Sequence, residues 1–116
     1  MVTMRRLDDI ALSTTDRAAV VAAAATLRER FAVAEVILFG SKARGDDRPD
    51  SDIDLLVLTE RAVAQWRRPV YDALDDVMLT HNVVIQALVE PRDDWLCFRG
   101  QPLPIREVLE REGVVV

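Results

Sequence analysis

Several classes of function are excluded by what this chain has little of. It carries a single cysteine, Cys97, so no disulfide can close within it. That fits a reducing compartment. It carries a single histidine, His81, which rules out a histidine-rich metal centre. No apolar run is long enough to cross a bilayer: AAVVAAAATL, residues 18–27, is too short and is closely bracketed by charge. The opening MVTMRRLDDI contains no long apolar region of the secretory kind, so a cytoplasmic protein is expected. Basic residues are outnumbered 15 to 20 by acidic ones, and the net charge of −5 argues against holding nucleic acid through a basic surface. A nucleotide is not excluded by that charge, because metal ions can supply the positive counterpart.

What is present suits one compact domain with one core spanning residues 1–116. No repeat, low-complexity segment or linker interrupts it. Ser13 and Asp16 have the spacing of a capping box, and a helix is expected from there to about Arg30. Its buried face would carry Val20, Ala23, Ala24, Leu27 and Phe31. Residues 35–39 (EVILF), 52–58 (DIDLLVL) and 82–89 (NVVIQALV) read as strands, with a helix over residues 68–80 before the third. A helical turn is expected over residues 41–44, a short helix over residues 91–98, and a last helix from Pro104 to Gly113. The order is α-β-β-α-β-α-α, an α/β (α+β) domain with a small mixed sheet packed by helices. The second strand is apolar almost throughout, so both of its faces should be covered.

The informative stretch is FGSKARGDDRPDSDIDLLVL, Phe39 to Leu58. Strand interiors disfavour aspartate, and a buried unpaired charge is costly. Yet Asp52 and Asp54 sit at the head of an apolar strand, two residues apart and so on one face. At strand rise their Cα atoms lie roughly 6.5 Å apart, which lets both carboxylates converge on one divalent ion. Mg²⁺ fits such a site, since it takes oxygen ligands from one or two carboxylates plus substrate phosphates. Upstream, Gly40 permits a tight turn and close backbone approach, and Ser41 opens a helical turn whose free amides and hydroxyl face the loop. Lys42 and Arg44 are available to neutralise phosphate charge.

The residues Gly40-Ser41-Lys42-Ala43-Arg44-Gly45 and Asp50-Ser51-Asp52-Ile53-Asp54-Leu55 resemble the GSxARG…SDIDL signature of the DNA polymerase beta-like nucleotidyltransferases. The chain is most similar to the minimal nucleotidyltransferases (MNT proteins), often encoded beside a HEPN-domain partner. The resemblance implies the polymerase beta-like fold and transfer of a nucleoside monophosphate, AMP from ATP, to an acceptor hydroxyl. Gly40 and Ser41, with Arg44, would hold the triphosphate; Asp52 and Asp54 would be the catalytic carboxylates and hold two Mg²⁺ ions. Arg44 could equally brace the loop through carboxylates. The partner implied is a protein, a HEPN-type toxin, with this chain as its antitoxin. Family members usually carry a third carboxylate on the strand after the next helix. Here that strand has none, and Gln86 occupies the best-matching position, with Glu90 four residues further on. Glutamine is a weaker metal ligand and no general base, so the second ion is the one in doubt.

Three functions therefore stay open. One is a working transferase that adenylylates a protein partner. A second is a catalytically impaired relative that binds and neutralises a partner. A third is a small-molecule, aminoglycoside-type transferase, disfavoured by the lack of a second domain for the acceptor. A homo-oligomer is also left open. Other chemistry-bearing residues have plainer readings: His81 as a cation at a helix end, Tyr71 as packing or surface, and Trp66, Trp95 and Cys97 as core or interface. Asp46, Asp47 and Asp50 are expected to be solvated, with Asp50 or Ser51 shaping the turn into the strand.

Overall fold

The computed structural model of the chain describes residues 5–46, 48–60, 67–92, 109 and 111–116. Helix α1 spans Thr14–Arg30 and starts where expected: Ser13 is the N-cap, and its Oγ accepts from the Asp16 amide at 3.0 Å. Only half of the capping box forms in this way, because the Asp16 carboxylate is turned toward another charge described below. The buried stripe of α1 is Ala19, Val20, Ala23, Ala24 and Leu27. Phe31 falls just beyond the helix as its extended C-cap and is partly buried. Strand β2 (Val33–Phe39) leads into the short helix α2 (Ser41–Arg44), and β3 (Ile53–Thr59) follows the loop. Helix α3 spans Arg67–His81 and buries Val70, Ala73, Leu74 and Val77, one face at helical spacing. It ends at Asn82, whose φ of 55° is the left-handed conformation that asparagine tolerates at a helix C-terminus.

Strand β4 runs from Ile85 to Pro91, so Asn82, Val83 and Val84 belong to the turn before it rather than to the strand. Strands β2 and β3 pair antiparallel, and β4 joins β3 in parallel after the α3 crossover. Two strands not anticipated from the sequence extend the other side: β1 (Arg5–Arg6) and β5 (Val114–Val115), giving the order β1-β5-β2-β3-β4. Each has two residues, too short for any alternating pattern to announce it. Pro104, the expected start of the last helix, lies outside the described residues, as do Trp66, Trp95, Cys97 and most of the short helix expected over residues 91–98. Leu109, Arg111 and Glu112 are helical, and Gly113 leads into β5.

Helices α1 and α3 pack on one face of the sheet against Val36, Leu38, Ile53, Leu55, Val57, Ile85 and Val89. On the opposite face Ile37, Leu56 and Leu58 pack with Leu109. The continuous apolar run of β3 thus has the reason expected of it: both faces are covered. One buried ion pair ties the layers together. Lys42, on α2, is only 1% exposed, and its Nζ lies 2.8 Å from Oδ2 of Asp16 on α1. The same ammonium donates to the Arg48 carbonyl at 3.3 Å. Removing Asp16 takes a carboxylate from beside this buried ammonium, and breaking a buried pair is strongly destabilising. Asp16→Ala is therefore expected to lower unfolding free energy by roughly 3–5 kcal/mol in urea titrations. The double variant Asp16→Leu with Lys42→Met should recover most of that loss.

Candidate active site

The site is assembled where β2 ends and β3 begins. Phe39, Asp54 and Gln86 stand side by side across β2, β3 and β4. The residue after Phe39 is Gly40, with φ 78°, so the chain turns away from the sheet directly beside Asp54. The carbonyl of Gly40 accepts from the amides of Ala43 (3.1 Å) and Arg44 (3.0 Å), closing α2. Gly45, with φ 83°, ends it. A Cβ on Gly40 would overlap the Asp54 carboxylate, whereas one on Gly45 would meet nothing. Gly40 is thus required both for its backbone conformation and for the space that Asp54 fills.

The loop returns through a local turn in which Ser51 Oγ accepts from the Arg48 amide at 2.9 Å and the Ser51 amide donates to the Arg48 carbonyl at 3.0 Å. Ser51 rather than Asp50 shapes this entry, and Asp50 is exposed. Strand pairing starts one residue later than expected, at Ile53, whose amide donates to the Val84 carbonyl at 2.8 Å. Asp52 therefore stands just outside the strand and Asp54 within it; both are half-buried. Asp54 shares its face with Leu56 and Leu58, opposite α1 and α3.

Gln86 donates from Nε2 to Asp52 Oδ2 at 2.6 Å. A carboxylate only accepts, so the amide nitrogen must face Asp52 and the amide oxygen must face away. The residue matched to the third carboxylate position is therefore beside the pair, holding one oxygen of Asp52. Glu90 is elsewhere: it pairs in register with Leu58 and lies 3.6 Å from Arg67. Among the described residues, no group of three His, Cys, Asp or Glu side chains is placed to hold a metal ion.

The pKa of Asp54 is raised above the usual carboxylate value, first by burial and next by the charge of Asp52, with Arg44 opposing. Two oxygen donors with a crowded negative charge suit one divalent cation, whose binding would relieve that repulsion. Arg44 bridges two carboxylates: Nε lies 3.0 Å from Asp46 Oδ2, and Nη1 lies 3.2 Å from Glu112 Oε1. Of the two roles open to Arg44, the contacts are those of a brace, and Asp46 is ion-paired rather than simply solvated. Lys42 points away from this site into its pair with Asp16, so the expectation that it neutralises phosphate does not match its position. Tyr71 donates to the Ala87 carbonyl at 3.4 Å, and His81 occupies the last turn of α3. Two participants carry no signal in the sequence, Glu112 and Arg5. Both act across long sequence separations, and no local pattern marks either.

Residues 22–112 match the family model of the nucleotidyltransferase domain. The chain belongs to the nucleotidyltransferase domain family. A relative from Methanocaldococcus jannaschii, provisionally named protein adenylyltransferase MJ0604, is 38% identical over 64 residues, 55% of this chain and 60% of that protein. Protein adenylyltransferase MntA of Thermococcus cleftensis is 58% identical over 31 residues, 27% of this chain and 31% of that protein. These matches thus span less than two thirds of either relative. A crystal structure described as a toxin-antitoxin with AMP-PNP superposes with a TM-score of 0.60 at 16% identity, covering 83% of this chain and 70% of that one. A Sulfolobus solfataricus protein, provisionally described as a nucleotidyltransferase, superposes with a TM-score of 0.51 at 16% identity, over 91% and 89%. The fold is the small mixed α/β sheet of polymerase beta-like nucleotidyltransferases.

The geometry of the candidate site yields two expectations. Gly40→Ala should destabilise the protein well beyond Gly45→Ala, which should cost only the roughly 1–2 kcal/mol of left-handed strain; paired chemical denaturation checks this. Asp54→Asn should raise the melting temperature at neutral pH in the absence of divalent ions. The folded-state pKa of Asp54 is raised, so its charged form opposes folding above that pKa and its protonated form does not below it. The advantage of the asparagine variant should therefore shrink as the buffer is acidified through the carboxylate range.

Proposed function

We propose that this chain is a Mg²⁺-dependent protein nucleotidyltransferase that moves AMP from ATP to a hydroxyl on a partner protein, as the antitoxin of a HEPN/MNT toxin–antitoxin pair. The observation that carries this reading is the Asp52–Asp54 pair, with Asp54 packed against Gly40. Support for the finer points comes from the two relatives named as protein adenylyltransferases and from the structural neighbour described as a toxin-antitoxin with AMP-PNP.

Asp52 and Asp54 would hold the cation, which when bound neutralises triphosphate charge and stabilises the departing pyrophosphate. The amides of the Gly40–Ser41 turn and the Ser41 hydroxyl would orient phosphate oxygens. Arg44 keeps a positive charge beside Asp54 while bracing the turn. The acceptor oxygen attacks the α-phosphorus, the bond to the bridging oxygen of pyrophosphate breaks, and the hydroxyl proton passes to solvent water. Gln86 cannot take that proton at neutral pH. Its place in register with Asp54 favours a second reading, in which the chain binds Mg-nucleotide and a protein partner with little transfer.

The test is incubation with Mg²⁺ and α-phosphate-labelled ATP in lysate of the source cell. The wild-type protein is expected to label a protein band, and Asp52→Asn with Asp54→Asn should abolish both the label and Mg-dependent binding of ATP. Gln86→Glu should raise transfer about a hundredfold, the low end of what a general base contributes. Retained Mg-ATP binding with no labelled band would establish the second reading instead. Equal Mg-ATP affinity in the double variant would show that the carboxylate pair is not the metal site.

A further inference from the structure

The segment holding Glu112, whose Leu109 packs on the same sheet face as Leu56 and Leu58, makes contacts that reach the candidate site. Arg5, at the exposed β1 end, donates from one nitrogen, Nη2, to the carbonyl of Ala43 at 2.9 Å and to that of Glu112 at 3.0 Å. Arg44 donates from Nη1 to Glu112 Oε1 at 3.2 Å. The side chain of Glu112 is only 9% exposed, against 46% for Arg44. A carboxylate so enclosed is costly unless it is paired. Arg44 is therefore held by a partner that has little freedom of its own.

The position of Glu112 is set in turn by its neighbours. The Gly113 amide donates to the Leu109 carbonyl at 2.8 Å, and a Cβ on Gly113 would stand 2.5 Å from that oxygen and 3.2 Å from Ile37 Cγ2. Val114 and Val115 are then fixed between β1 and β2. On the other side of α2, Gly40 lies against Asp54. Contact thus runs without a break from β5 through Glu112, Arg44 and Ala43 to Gly40 and Asp54.

We propose that Glu112 is a positioning residue for nucleotide binding: through Arg44, and with Arg5 alongside, it clamps the Gly40–Gly45 turn against Asp54. The inference rests on the reading of this turn and the aspartate pair as the Mg-nucleotide site. Without the clamp the turn drifts from Asp54, and phosphate and cation no longer meet one preformed surface. Glutamine at position 112 keeps an acceptor for Arg44 and should keep the clamp. Alanine should lose it. Arg5→Ala removes the second tie without leaving a buried charge behind.

The experiment measures Kd for AMP-PNP with Mg²⁺ by calorimetry, together with amide hydrogen exchange, on wild type, Glu112→Ala, Glu112→Gln and Arg5→Ala. Glu112→Ala should bind about tenfold more weakly, Arg5→Ala about threefold, and Glu112→Gln within about twofold of wild type. The amides of Ala43, Arg44 and Gly45 should exchange faster in both alanine variants, while those of Leu55, Leu56 and Val57 keep their protection. A merely structural residue would lower the melting temperature and leave affinity and local exchange in the folded protein unchanged. That result, in whichever alanine variant folds, overturns the proposal. A wild-type protein that binds no AMP-PNP overturns the functional reading instead, and exchange at Ala43–Gly45 still decides whether the clamp exists.

Discussion

The candidate site depends on one close approach, the backbone of Gly40 against the carboxylate of Asp54. No side chain fits between them. Phe39 and Asp54 are paired in register, and the turn taken after Phe39 carries the chain, at Gly40, directly past that carboxylate. The turn at Gly40 sends it into α2, so the amides of a helical turn and the two aspartates share one corner of the sheet. A glycine and a carboxylate distant in sequence are thereby locked into one unit. Any change that opens the turn also moves a prospective metal ligand.

The charges around this unit are handled in three ways. Lys42 and Asp16 are enclosed as a pair between α2 and α1, which anchors the turn from beneath. Arg44 links Asp46 and Glu112, which anchors it from the side. Asp52 is held by a neutral amide from Gln86. Asp54 has the least favourable surroundings, half-buried with its charge opposed by burial and by Asp52. On the proposed function this would suit a cation site, with the negative charge gathered before the ligand arrives and the geometry maintained by neighbours. Gln86 orders Asp52 through a hydrogen-bond donor. On the proposed function, that amide would leave an incoming hydroxyl without a base at this position.

Much of the fold was legible because its signals are local. The Ser13 cap, the helical face of α3 and the apolar run of β3 each follow from side-chain type and spacing over a few residues. The closeness of Asp52 and Asp54 was legible for the same reason, since two carboxylates two residues apart at the head of an apolar strand lie near enough to repel each other. The two-residue strands β1 and β5 were not, because neither is long enough to alternate. Lys42 was misread because its charge suggested phosphate, while its direction depends on where α1 passes. The start of β4 was placed three residues early because Asn82, Val83 and Val84 look like strand, yet the left-handed Asn82 closes α3 and spends those residues on a turn.

By itself the sequence determined which groups are available: a glycine turn, two carboxylates two residues apart, an amide at Gln86, and a core able to cover both sides of β3. Those follow from covalent spacing and the periodicity of helix and strand, which need no partner. Only the tertiary structure decided what each charge faces. It turned Lys42 to Asp16, brought Glu112 to Arg44 across 68 residues of chain, and set Gln86 on Asp52. Such choices arise because burying a charge is costly unless a partner lies within a few ångströms. Sheet register and helix packing, rather than nearness along the chain, determine which partner that is.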